Sequence, residues 1–266
     1  MTSIRELARA IRDVGVEGCE VLLVYSDLAY LGPLTGISDR NTYLAAIWDC
    51  LREVTGSQTT IAMTTASTYL CETGADFTLE NSPCDRGVLN EYMRKLPETR
   101  RSLHPFVSYS AHGPLAEKLT AHISKTGYGA ESPMERIVAA RSRALNIGIP
   151  ARYTPSLVHH AEQLIGVPYR YYKEFPNRVF AGGEYVGTDY LLYVRYLDAD
   201  IEKDQKVRLF RHFAERGHKV SSTILPVGCK VETYEVRELF ETCIAMLRDD
   251  PYGLLTHPPT KRPYRR

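Results

Sequence analysis

The stretch Glu20-Val21-Leu22-Leu23-Val24-Tyr25-Ser26 decides the fold class. Four consecutive apolar residues between polar ends match a strand buried on both faces, as in a parallel sheet covered by helices on either side. Upstream, Ser3 stands where a helix N-cap belongs, and Ile4, Leu7, Ile11 and Val14 recur at helical spacing until Gly15 and Gly18 break the pattern. Downstream, a Gly- and Pro-bearing loop leads to a helix that opens at Asp39 and runs through Tyr43, Ile47 and Leu51. A second strand follows over 59–63.

The alternation continues outward. Helical patterns cover 86–95, the turn after Pro114 through Leu119, the start at Ser132-Pro133, then 155–164, 204–216 and 234–247; extended patterns cover 100–113, 144–149 and 190–197. Residues 64–83 are polar and poorly periodic, which predicts an irregular excursion. Together these predict a three-layer α/β/α domain over 1–257, built on a central mixed, largely parallel sheet, with a frayed basic, Pro-rich tail at 258–266.

Composition narrows the function. A chain of 266 residues buries a core of its own, and Lys+Arg 33 against Asp+Glu 32 gives a net charge of +1. That balance argues against a nucleic-acid partner. No run approaches the ~20 apolar residues of a membrane span, and the N-terminus reads as a charged amphipathic helix, so we expect a cytoplasmic protein without a membrane partner. Six cysteines lie scattered without a C-x-x-C pair, which predicts reduced, structural thiols and no metal site. Phosphate-loop, dinucleotide, nucleophile-elbow and zincin motifs are absent.

Polar residues at the ends of apolar runs remain as candidates. Tyr25-Ser26-Asp27-Leu28 follows the first strand and Thr64-Thr65-Ala66-Ser67 the second, positions where open α/β sheets bind ligands. In Ser156-Leu157-Val158-His159-His160-Ala161-Glu162, His159 and Glu162 are three residues apart and share a helix face, while His160 points elsewhere. A histidine beside a carboxylate suits a general base; the same spacing also occurs between ordinary surface neighbours.

The order of these clusters adds information. VLLVYSDLAYLG, TIAMTTAS, the block Arg101, Ser102, His104, Pro105 and Ser108, the pair Ser132-Pro133, and the S-L-x-H-x-A-E block ending at Glu162 together resemble the aminoglycoside 3-N-acetyltransferase family. The resemblance runs from Ile4 to Arg170 and more loosely beyond. It implies an α/β/α fold and transfer of an acyl group, usually acetyl, from coenzyme A to an amine on a sugar or aminocyclitol. It implies His159 as the base, Glu162 as its partner acid, and a coenzyme A surface made of Ser26, Leu28, Thr65, Arg101, Ser102, His104, Val107 and Ser108. Arg100-Arg101-Ser102 would face the nucleotide phosphates. Two departures bear on the acceptor pocket: Tyr25-Ser26-Asp27-Leu28 stands where the family often has His-Ser-Ser-Leu, and Thr64 replaces a common proline.

These readings give one mechanism. His159, oriented by Glu162, takes the proton of the attacking amine, and Thr65 or a nearby backbone N–H steadies the oxyanion. Acyl-CoA is a cosubstrate, with no permanently bound cofactor. A covalent route through Cys84 or Cys71, a thioester hydrolase built on Ser26 or Cys84 with His159, and a noncatalytic acyl-CoA binder are the alternatives. The near-zero charge, with Tyr69, Asn81, Ser82, Pro83 and Tyr128 in loops, favours a neutral or anionic amino sugar over a polycationic antibiotic. Arg170 and Arg178 would serve the diphosphate of a nucleotide-linked one. Self-association through the Tyr-rich strand and the late helices is a further expectation.

Overall fold

The computed structural model describes residues 1–121, 124–204 and 206–265. The first half of the chain holds α1 (Ile4–Asp13), β1 (Val21–Ser26), α2 (Leu28–Leu31), α3 (Arg40–Thr55), β2 (Thr60–Thr64), α4 (Leu70–Thr73), β3 (Phe77–Thr78), α5 (Val88–Arg94), β4 (Arg100–Arg101), β5 (Tyr109–His112) and α6 (Ala116–Thr120). The second half holds α7 (Pro133–Ala139), β6 (Ser142–Ile147), α8 (Leu157–Ile165), β7 (Arg170–Phe175), β8 (Val179–Ala181), β9 (Glu184–Gly187), β10 (Tyr190–Arg195), α9 (Val207–Glu215), β11 (Ser221–Ile224), β12 (Lys230–Glu235) and α10 (Val236–Asp249).

Seven strands form the main sheet in the order β11-β12-β6-β1-β2-β5-β4. β1 lies at its centre, parallel to β6 and β2. Its side chains alternate between two cores: Val21, Leu23 and Tyr25 enter one, Leu22 and Val24 the other. That alternation is why the apolar run of β1 is continuous. The face with Leu22 packs on α1, α3 and α5; the opposite face packs on α6 to α10. The three layers are those expected. The sheet is parallel only at its centre, since β12, β11, β5 and β4 each join antiparallel. A separate antiparallel ribbon pairs β7 with β10, and β3, β8 and β9 form a small third sheet.

Local chemistry sets the helix ends. Ser3 and Glu6 form a reciprocal capping box on α1, through Ser3 N–H to Glu6 Oε2 at 2.7 Å and Glu6 N–H to Ser3 Oγ at 3.2 Å. Gly166 stops α8 in the left-handed conformation (φ 70). The tail is held rather than frayed: Pro259 is buried, and the backbone N–H groups of Thr260 and Lys261 both donate to the Asp200 carboxylate. Among the described residues, no helix is long and apolar enough to cross a membrane.

Candidate active site

The carboxyl ends of β1, β2 and β6 open into a cleft of about 720 Å³. The end of β1 contributes Tyr25, the end of β2 and the segment after it give Thr64 and Ala66, the N-cap and first turn of α8 supply Ser156 and His159, and the β7–β10 ribbon forms the far wall. Parallel strands meeting at one end create such a crevice.

His159 forms part of the cleft wall with 35% of its side chain exposed. Behind it, Glu162 is 4% exposed, and its Oε2 lies 2.9 Å from His159 Nδ1. One helical turn sets this contact. The other carboxylate oxygen accepts from the Tyr169 hydroxyl at 2.9 Å, and Arg170 approaches Oε2 at 2.8 Å. Burial would raise the Glu162 carboxyl, but Arg170 and His159 outweigh it and hold it down to about 2. Glu162 is therefore ionised and accepts the Nδ1 proton, which leaves the Nε2 lone pair of a neutral imidazole available as a base. Burial pulls the imidazole below its ordinary 6.5, although Glu162 opposes this.

A tyrosine cluster stands beside the dyad. Tyr109 donates its hydroxyl proton to Ser156 Oγ at 3.0 Å, and Ser156 Oγ lies 2.6 Å from the Tyr25 hydroxyl. The Ser156 backbone N–H also points at the Tyr25 oxygen, at 3.4 Å. Either hydroxyl can donate across the Ser156–Tyr25 pair; when Ser156 donates, Tyr25 accepts from both its hydroxyl and its N–H, and the Tyr25 proton is free to turn to the cleft. Burial raises the Tyr25 phenol strongly, which keeps that proton in place. The Tyr128 ring packs against His159 with centroids 5.4 Å apart.

The charge of the lining is one-sided. Arg86, Arg170, Lys173, Arg195 and Lys206 line the cleft, and no Asp or Glu is among its described lining residues.

Residues 23–248 match the model of the aminoglycoside 3-N-acetyltransferase family. This chain belongs to that family. Aminoglycoside N(3)-acetyltransferase III of Salmonella sp is 32% identical over 184 residues, which cover 63% of this chain and 63% of that protein. Aminoglycoside N(3)-acetyltransferase VII of Streptomyces paromomycinus is 35% identical over 112 residues, covering 42% and 38%. The chain thus spans less than two thirds of the length of these curated relatives. Among solved structures, the AAC(3)-IVa apoenzyme superposes with a TM-score of 0.75 at 25% identity over 97% of this chain and 92% of that one. The binary complex of AAC-IIIb with CoASH gives 0.75 at 20% over 93% and 97%.

The acetyltransferase motifs fall in two places. His159 and Glu162 meet as the family resemblance implies, and Val107 and Ser108 line the cleft. The rest of the expected coenzyme A surface does not. Arg101 spends all five of its donors internally: Nε on Ser108 Oγ, one terminal nitrogen on the carbonyls of Leu79 and Ser82, the other on the Thr65 carbonyl and Ser67 Oγ. No donor is left for a phosphate. Ser102 Oγ accepts from Tyr109 N–H. His104 is wholly buried, its Nδ1 facing the Phe106 N–H at 3.3 Å, and burial holds it down to about 4. Ser26 and Leu28 lie outside the cleft lining, with Leu28 packed on the opposite core.

Thr65 also departs from expectation. Its side chain is buried on Ser110 Oγ at 3.0 Å and its N–H is taken by the Ser108 carbonyl, so neither faces a reacting carbonyl. Among the alternatives, Cys84 faces the Thr64 carbonyl and the Arg86 N–H. Cys71 does line the cleft, but burial pushes its thiol up to about 11. Arg178 pairs with Asp76 outside the cleft lining. Arg195 and Lys206 escaped the sequence reading, and Tyr25 and Ser156 entered it only as members of their clusters without a role, since each belongs to a different segment and no local spacing links them.

Proposed function

We propose that this protein is an acetyl-CoA-dependent N-acetyltransferase whose acceptor is the amine of an amino sugar. The observation that carries the reading is the His159–Glu162 dyad, held at a cleft wall with its basic face open. In the reaction, His159 Nε2 takes a proton from the acceptor amine as the nitrogen attacks the thioester carbonyl. The N–C bond forms, the C–S bond breaks, and the imidazolium returns the proton to the departing thiolate as coenzyme A is released. Glu162 keeps the ring in the productive tautomer and offsets the charge it gains. Tyr25, which lines the cleft and has its proton free whenever Ser156 is the donor of their shared bond, replaces Thr65 as donor to the oxyanion. Alignment of two substrates in one crevice supplies much of the remaining acceleration.

The acceptor is neutral or anionic, and a nucleotide-linked amino sugar fits best. Five basic side chains and no carboxylate in the described lining oppose a polycation and attract phosphate. The names of the relatives favour a second reading, an aminoglycoside antibiotic as acceptor. Release of coenzyme A thiol across a panel of amines separates the two. The expected result is turnover of nucleotide-linked amino sugars at least tenfold above kanamycin-type aminoglycosides; the reverse order overturns the acceptor reading.

A further inference from the structure

The β7–β10 ribbon places a second arginine next to the dyad. Arg195 is the direct cross-strand partner of Arg170, and residues opposed in an antiparallel pair present their side chains on one face, with Cα atoms about 4.5–5.5 Å apart. Arg170 already touches Glu162 at 2.8 Å and lies 3.3 Å from His159 Nδ1. Two guanidinium groups so opposed repel each other. The buried carboxylate beside them, Glu162, is already shared by Arg170 and His159, and among the described residues Arg195 donates only to the Ile201 carbonyl, at 3.4 Å.

Lys206 adds to the same side. It precedes α9 in the left-handed conformation (φ 63), lines the cleft, and directs its ammonium to the Tyr153 carbonyl at 3.4 Å. The nearby carboxylate, Asp204, is occupied by the backbone of Lys206 and by the backbone and side chain of Arg208. Arg195 and Lys206 therefore have no carboxylate partner within 4.0 Å among the described residues. Lys203 feels the same crowding: burial, Arg195 and Arg170 bring its ammonium down to about 8. Finally, Arg170 is 7% exposed, lines the cleft, and its Nε has no hydrogen-bond partner among the described residues. A buried, unmatched donor within a knot of unpaired cations costs stability until an anion supplies acceptors.

We propose that Arg170, Arg195 and Lys206 form an anion subsite that binds the diphosphate of the acceptor, a nucleotide-linked amino sugar; this rests on the acyl-transfer reading above. Coenzyme A also carries phosphates, but its whole pantetheine arm separates them from the thioester that must reach His159. Cations within one cross-strand pair of the base are too close to serve them. A sugar ring with its amine at His159 spans the step to Arg195 and puts its anomeric phosphate there.

The test is isothermal titration of CoA-saturated protein with UDP, dTDP, GDP and CDP, so that the cosubstrate site is already filled. At least one diphosphate binds, and R195Q and K206Q each weaken it at least tenfold while affinity for coenzyme A is unchanged. K206R restores binding. Failure of all four diphosphates to bind, variants without effect, or variants that weaken coenzyme A instead overturn the subsite. Thiol release from acetyl-CoA with free amino sugars, run alongside, separates the two levels of failure. Activity without diphosphate binding removes only the subsite, whereas absence of any amine-dependent release together with absence of diphosphate binding removes the acyl-transfer reading as well.

Discussion

The knot around Arg101 and the cleft wall around His159 are both dense in polar side chains, and they differ in where the hydrogen bonds end. Around Arg101 every guanidinium donor meets a protein acceptor, Thr65 is bonded to Ser108 and Ser110, and Ser102 to the Tyr109 backbone. Around His159 the chain of bonds stops short: among the described residues, the imidazole Nε2 and Arg170 Nε are left without a hydrogen-bond partner. A saturated polar network fixes backbone geometry, and an unsaturated one at a cleft is available to a ligand. Arg101 and Ser108 thus hold the loop after β2 in shape, while α8 and the β7–β10 ribbon bring the unmatched groups to the cleft wall.

The hardest test of this contrast is His159→Ala. It should lower kcat by up to about 10⁴-fold and leave the thermal midpoint nearly unchanged, because the ring stands at the cleft surface. Near-normal turnover would remove His159 as base. The pH profile gives a second check. Since the imidazole lies below 6.5 and must be neutral to act, kcat/KM should be flat at neutral pH and fall on acidification with a midpoint below 6.5. An acid limb centred above 6.5 contradicts that assignment.

Arg101→Met should do the opposite. Removing a guanidinium from five internal acceptors leaves buried oxygens unmatched, and we expect a loss of about 4 kcal/mol in urea unfolding. The KM for acetyl-CoA should change little in the protein that remains folded. An unchanged unfolding midpoint with a raised KM would return Arg101 to the ligand side.

The two regions were not equally legible. β1 and β2 showed in the sequence because burial on both faces requires unbroken apolar runs, and the α8 dyad showed because three-residue spacing fixes its geometry. β12 did not show: Lys230, Glu232 and Glu235 make it look polar, and its last residues merge with the apolar periodicity of α10. Yet β12 is interior to the sheet, and Glu232 is buried because its carboxylate accepts from the Ala151 N–H at 2.8 Å. The antiparallel joins around the parallel centre depend on such tertiary partners. Equally, the saturation of Arg101 requires acceptors from residues 65, 67, 79, 82 and 108, which no local pattern brings together.

His104 sharpens the comparison between its own motif and His159. Buried and held down to about 4, it stays neutral in the folded protein while the unfolded chain takes up a proton below 6.5. Its contribution is complete above pH 6.5, declines as pH falls toward 4, and amounts to roughly 3 kcal/mol. His104→Gln should therefore flatten the loss of unfolding free energy between pH 7 and pH 4 without shifting the acid limb of kcat/KM. A shifted limb would make His104 a participant in the chemistry.

Tyr25 lies at the border between the two regions, tied through Ser156 to Tyr109 and open to the cleft on its other side. Tyr25→Phe removes the hydroxyl proton that Tyr25 can turn to the cleft, and keeps the ring that packs into the core. If that proton meets the oxyanion, kcat falls about a hundredfold, ~2.7 kcal/mol, with the acid limb unmoved because His159 still sets it. Ser156→Ala should produce a smaller loss. It breaks the relay that orients the phenol but leaves the phenol present. Stability tells the two roles apart: a packing residue loses thermal midpoint in proportion to turnover, whereas an oxyanion donor loses turnover alone. Full activity in the phenylalanine variant would place Tyr25 with Arg101, as part of the scaffold, and leave the oxyanion to a backbone N–H.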